Sequence, residues 1–173
     1  MISVDYRLAP EAGYAEALDD CRRVAEACSP TALVGDSAGG RLVMDVSRQS
    51  HFHGVLGLIY PPVGRPTAAS LGPDAPLLTR DDILALWESI ADEVPMPDAT
   101  SAPGEFIEVL AAEHDPLTAP LERAVADWRR DGADIGYRCA PGMLHGALHA
   151  YARLDAMQAA WQDFCRALSQ RLG

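Results

Sequence analysis

The chain has 173 residues, 49% of them hydrophobic and 23% charged, with a formal net charge of −11. That length holds one domain with a sizeable core but hardly two, and the composition excludes a disordered or low-complexity chain. The acidic balance excludes phosphate-backbone recognition, because every basic residue is a scattered arginine, so no nucleic-acid partner is expected.

The first residues, MISVDYRLAPE, carry no basic segment, apolar core or small-residue cleavage site, and no later run approaches the length of a membrane span. A soluble cytoplasmic protein is the expectation. Within that stretch ISVDY, Ile2 to Tyr6, is a short β-branched run that predicts a first strand, closed by Pro10. From about Tyr14 to Cys28 the residues Ala17, Leu18, Cys21, Val24, Ala25 and Cys28 recur at helical spacing, with charged residues filling the other face. TALVG then reads as a second strand, AGGRLVMDVSRQ as a helix, and GVLGLIYP as a third strand of the fully apolar kind buried in parallel sheets.

Regularity breaks over residues 62–104, a proline-rich stretch with one helical segment, TRDDILALWESIAD, started by a capping-box pair, Thr79 and Asp82. An irregular excursion of this size inside an α/β chain suggests a lid over a site or a decorative insertion. FIEVLAAEHD is the fourth expected strand, LERAVADWRRDG a helix ending at Gly132, and ADIGYRCAPG the fifth strand. A last helix from about Leu148 to Leu172 would place Tyr151, Leu154, Met157, Trp161, Phe164, Leu168 and Leu172 on one packing stripe. The alternation predicts one α/β domain over 1–173, with a mostly parallel sheet of about five strands flanked by helices. Cys21, Cys28, Cys139 and Cys165 form no CxxC pair and fall in apolar-periodic segments, so reduced, buried thiols are expected.

Against this map, Gly35-Asp36-Ser37-Ala38-Gly39 fits G-x-S-x-G at a strand-to-helix junction. Such a turn is too tight for a Cβ on either side; it lifts the serine hydroxyl to the C-terminal edge of the sheet, where helix N–H groups can meet a developing oxyanion. An ordinary glycine-rich turn is the plain alternative, and a Walker-type phosphate loop would need a lysine that the sequence lacks. A serine nucleophile needs a histidine oriented by a carboxylate, in the chain order Ser, Asp or Glu, His. Asp115 follows the fourth expected strand and His145 lies in the loop after the fifth, so both should project at the edge that carries Ser37. Taken singly, Asp115 could be a helix N-cap and His145 a surface histidine. His145 and His149 are spaced as a metal pair, but HGALH lacks the glutamate of a zincin and no third ligand is evident, so neither metal nor cofactor is expected. His114, His51 and His53 read as structural or exposed. A histidine base must be neutral to accept a proton, so activity should rise with pH through the range in which histidine deprotonates.

The blocks SVDYRLAPE, ALDD, GDSAGG, YPP, HDPL and HG, in this order, resemble those of the hormone-sensitive-lipase-like esterases, the α/β-hydrolase-3 group, over almost the whole chain. The resemblance implies a serine carboxylic ester hydrolase acting on a small or medium acyl ester. Ser37 would be the nucleophile, Asp115 the orienting carboxylate, His145 the base and then acid, and Asp36 a structural residue of the elbow. It also implies a His-Gly-Gly-Gly segment upstream of DYRLAPE, and no such sequence occurs in this chain. The chain is therefore expected to be truncated at its N-terminal side, to keep only the Ala38 N–H as an oxyanion donor, and to be weak in isolation, since one lost donor costs about 10²–10³ in rate. The sheet is expected to lack N-terminal strands: the first strand slides beside the second, a second copy or complementing chain fills the gap, or the edge frays. AGYAEALDD lacks the proline and aromatic residue often found there, and Ala147 stands where the family usually has an aromatic, so the acyl pocket should differ. Three roles follow: an esterase; a hydrolase turned to acyl transfer or lactone formation; or a non-catalytic or partner-dependent subunit that keeps the elbow as architecture.

Overall fold

The computed structural model describes residues 1–95 and 100–173; residues 96–99, within the expected insertion, lie outside the description. Helices α1 (Tyr14–Cys28), α2 (Ala38–Ser50), α3 (Arg80–Ile90), α4 (Thr118–Arg130) and α5 (Asp155–Arg171) alternate with strands β1 (Ala32–Asp36), β2 (Val55–Ile59), β3 (Phe106–His114) and β4 (Asp134–Leu144). The strands form one parallel sheet in the order β1-β2-β3-β4. Each step to the next strand therefore crosses back over the sheet, and all four C-terminal ends lie along one edge.

Period-2 alternation decides which helix each strand residue meets. Leu56, Leu58, Ile107, Val109 and Ala111 face Met44 of α2 and Leu121, Val125 and Trp128 of α4. Ile59, Leu110, Ala112 and Ala140 face Met157, Ala160 and Phe164 of α5 on the other side. With helices on both faces, VLGLI of β2 is buried at every position, which is why it reads as an unbroken apolar run. On the α5 face the buried Glu108 is held by Arg138 and Arg171, and Arg171 also grips Asp134 at 2.9 Å. Helix α1 lies on α2 through Ala17, Leu18, Leu42 and Val46.

Two expected elements differ. Ile2–Tyr6 forms no strand, so among the described residues the sheet has four strands rather than about five, and β1 is an edge with Val34 45% exposed. The segment is tethered to α1 instead. Arg7 donates to Asp20 at 2.8 and 2.9 Å and to Glu16 at 2.9 Å, its backbone N–H reaches Asp20, and Tyr6 packs into the α1–α2 cluster. Alternation in ISVDY specified two faces but not a partner. The last helix begins at Asp155, not near Leu148: Ala147–Arg153 is a 3₁₀ segment and Leu154 is extended, at φ −126°. Of the expected stripe, Met157 and Phe164 are fully buried, whereas Tyr151 and Leu172 are exposed. The thiols are a third correction: all four cysteines are free, but Cys28 and Cys165 are exposed and Cys21 and Cys139 only half-buried. Burial still pushes the Cys21 thiol up to about 11.

Among the described residues no helix is long and apolar enough to cross a membrane. Inside the insertion the capping box forms as expected: the Thr79 hydroxyl accepts from Asp82 N–H, and the Asp82 carboxylate accepts from Thr79 N–H at 2.9 Å.

The helix that follows the elbow is anchored by a buried ion pair. Arg41 is 1% exposed and donates to Asp45 at 2.9 and 3.1 Å; Tyr14 Oη also donates to Asp45 at 2.8 Å, and Arg41 lies over the Trp87 ring of α3. Burial and Asp45 push the Tyr14 phenol up, so it remains a donor. Asp45→Ala should destabilise the fold by about 3–5 kcal/mol in urea unfolding, because it removes the buried carboxylate that the Arg41 guanidinium and the Tyr14 hydroxyl share. A cost below about 1 kcal/mol would show that the pair does not hold α1, α2 and α3 together.

Candidate active site

The strand-to-helix turn after β1 has little room. A Cβ on Gly35 would stand 2.3 Å from the Gly39 carbonyl oxygen, and one on Gly40 would stand 2.9 Å from Pro61. Gly39 itself faces open space, so of the two motif glycines only Gly35 sits in a close approach, and the second falls on Gly40. Between them Ser37 takes φ 51°, ψ −121° as the residue capping α2, a conformation that side chains rarely adopt. The strain is held by neighbours: Ser37 N–H donates to Ile59 O at 2.8 Å, tying the elbow to the end of β2.

The turn aims Ser37 Oγ at His145 Nε2, 2.8 Å away, and His145 Nδ1 lies 2.7 Å from Asp115 Oδ2. His145 is 13% exposed and Asp115 is fully buried at its side chain. Asp115 Oδ1 accepts from Leu117 N–H at 2.9 Å, in a turn that leads into α4. Asp115 is not the N-cap of α4, a place taken by Leu117 without a side-chain cap; one of its oxygens closes the preceding turn and the other faces the histidine. An ionised carboxylate only accepts, so Nδ1 carries the proton and Nε2 is left to accept from the serine hydroxyl.

The strand ends explain the assembly. Ser37, Asp115 and His145 are each the first residue after a strand: β1, β3 and β4. Tyr60 holds the same place after β2, and it is the residue of this cluster to which the sequence assigned no role. Its ring packs on the imidazole of His145 with centroids 4.7 Å apart and planes tilted by 57°. Its signals in the sequence were its place in the YPP block and a hydroxyl-bearing residue closing a wholly apolar strand. Burial first, with Asp36 and Asp115 adding, pushes the Tyr60 phenol up, so it stays neutral.

Asp36 is half-buried and points to His149, whose Nε2 is 3.4 Å from its carboxylate, while His149 itself is mostly exposed. His145 therefore spends both ring nitrogens inside the cluster, and His149 is drawn to Asp36 rather than to His145. Ala38, in the first turn of α2, has its N–H at the positive end of the helix, where backbone donors lack intrahelical partners. His51, His53 and His114 are exposed and stand apart from the cluster. The insertion reaches the site from one side: Gly72 N–H donates to Pro116 O at 2.8 Å, and Leu71 and Ile83 pack on Leu117.

Residues 1–149 match a family described by its alpha/beta hydrolase fold. Carboxylesterase NlhH of Mycobacterium tuberculosis is 31% identical over 179 residues, an alignment that covers 84% of this chain and 56% of that protein. The chain thus spans little more than half the length of this relative. A hyperthermophilic esterase from the archaeon Pyrobaculum calidifontis superposes with a TM-score of 0.73 at 25% identity, over 98% of this chain and 64% of that one. EstE1, a thermostable carboxylesterase from a metagenomic library, superposes with a TM-score of 0.81 at 24% identity, over 98% and 68% of the two chains, a likeness of fold alone.

Proposed function

The chain belongs to the alpha/beta hydrolase fold family, and from that premise we propose that it is a serine carboxylic ester hydrolase acting on a small or medium acyl ester. The carrying observation is the unbroken hydrogen-bond relay from Ser37 Oγ through His145 to Asp115. Ser37 Oγ attacks the acyl carbonyl while its proton passes to His145 Nε2. The negative charge that develops on the carbonyl oxygen is met by the Ala38 N–H and the positive end of α2. Collapse breaks the ester C–O bond, and the leaving alkoxide takes the proton from Nε2. Water, deprotonated by the same nitrogen, then attacks the acyl carbon, so that the carboxylic acid leaves and the serine hydroxyl is restored. Asp115 stabilises the imidazolium in both halves.

Residues 62–104 complete this reading as a lid-like insertion of a single hydrolase-like domain over 1–173. Support comes from its anchorage: it touches the turn after Asp115 through Leu71 and Ile83, and α2 through Trp87 on Arg41.

The direct test is intact mass after exposure to a fluorophosphonate, on the wild type beside Ser37→Ala and His145→Ala. One adduct on the wild type, absent from both variants, is the expected result. A folded wild type that takes no adduct would overturn the reading and leave the elbow as architecture.

A further inference from the structure

Four strands end in four side chains that meet, and the reaction proposed above uses three of them. We propose that the fourth, Tyr60, is a positioning residue whose ring holds the His145 imidazole in its reactive plane; the inference rests on that reading of the triad. The need for such a group follows from the geometry of the two hydrogen bonds. They act at Nδ1 and Nε2, on opposite sides of the ring, at 2.7 and 2.8 Å. Rotation about the Cβ–Cγ bond tilts the imidazole out of its plane while moving either nitrogen only slightly. The lone pair of Nε2 would then swing away from the serine hydroxyl, and hydrogen bonds weaken steeply as their angle closes. A second ring packed at 4.7 Å against the first resists that tilt.

Tyr60 occupies this place against its local preferences. Its backbone sits at φ 34°, in the left-handed region where a bulky residue is rare. It is 0% exposed, and its hydroxyl makes no hydrogen bond, with the backbone of Leu148 the polar group facing it. A residue without a bulky side chain would suit the backbone better. Strain that the neighbourhood does not relieve is a mark of a functional constraint. The surroundings also make Tyr60 a firm support. Its N–H donates to Leu110 O on β3 at 2.7 Å, and the carbonyl of the residue before it accepts from Ser37 N–H. The ring that touches the base is thus fixed to the backbone of the nucleophile and to the strand that carries Asp115.

The test compares wild type, Tyr60→Phe and Tyr60→Leu with p-nitrophenyl butyrate, with rates expressed per site titrated by the fluorophosphonate. Tyr60→Phe keeps the ring and should hold kcat within about threefold. Tyr60→Leu should lower kcat about 10- to 100-fold with KM within about twofold, since small misplacements of a reacting group cost up to about 10²-fold. A packing role alone would lower stability and the fraction of labelled sites, yet leave kcat per labelled site unchanged, and that result would overturn the inference. Should Tyr60→Leu fail to fold, Tyr60→Met makes the same comparison. A second readout needs no activity: the downfield proton of His145 Nδ1, identified by its loss in Asp115→Asn. It should persist in Tyr60→Phe and broaden or vanish in the aliphatic variants. An unchanged signal there overturns the role of Tyr60 whatever the rates. A wild type inert to the probe overturns the esterase reading instead, and the proton signal then reports on Tyr60 by itself.

Discussion

Ser37→Ala should reduce ester hydrolysis by about 10⁴–10⁶-fold while leaving the protein folded. In the proposed mechanism the nucleophile, its base and the orienting carboxylate act as one unit, so removing the attacking oxygen removes the whole covalent route. The fold should be indifferent, because Ser37 is only half-buried and alanine keeps the same Cβ in the same backbone conformation. Ser37→Gly separates the two effects further. It is equally inactive, but a residue held at φ 51° carries strain of about 1–3 kcal/mol that glycine relieves, so this variant should unfold at higher urea than the wild type. The expected pair is therefore lost activity with gained stability. Hydrolysis by Ser37→Ala within tenfold of wild type would remove Ser37 from the mechanism, and a less stable Ser37→Gly would show that the turn is not strained.

The second large effect is expected of Asp115→Asn, a fall in kcat/KM of about 10⁴-fold through the wrong histidine tautomer. An asparagine could in principle turn its oxygen towards His145 and preserve the wild-type tautomer. Leu117 N–H prevents this, because it needs an acceptor at the position now held by Asp115 Oδ1. The amide oxygen is claimed there, and the NH₂ group is turned to Nδ1, 2.7 Å away in the wild type. Nδ1 must then accept, the ring proton moves to Nε2, and Nε2 can no longer take the proton of Ser37. Asp115→Ala lacks the misdirecting NH₂ and should retain more activity than Asp115→Asn, although it gives up the turn into α4. Kinetics on the two variants decide the matter: a fall of less than about tenfold in Asp115→Asn would show that this carboxylate does not set the tautomer.

How far the sequence could be read depended on the range of the interactions responsible. Helix α1 was legible, expected from about Tyr14 to Cys28 and found at Tyr14–Cys28, because helical spacing of apolar residues is a local property. The capping box at Thr79 and Asp82 was legible for the same reason. The elbow was legible because a serine between glycines at the end of an apolar strand has few structural solutions. Ile2–Tyr6 was not. Its alternation is real, but the strand it promised is displaced by the attachment of Arg7 to Glu16 and Asp20, residues on a helix that its own pattern cannot see. The last helix failed similarly. Apolar residues continue at nearly helical spacing from Leu148, yet the chain there runs as a 3₁₀ segment and an extended Leu154 before α5 begins.

The sequence by itself determined the α/β alternation, the elbow at Ser37, and the order in which Asp115 and His145 follow it, since spacing and chain order are written in one dimension. The tertiary structure decided which strands pair and which oxygen of Asp115 faces the histidine. It also decided that Tyr60 joins the cluster and that Gly40, rather than Gly39, lies against Pro61. These are contacts between residues far apart in the chain, and a local pattern records which side of an element is apolar without recording what will be packed against it.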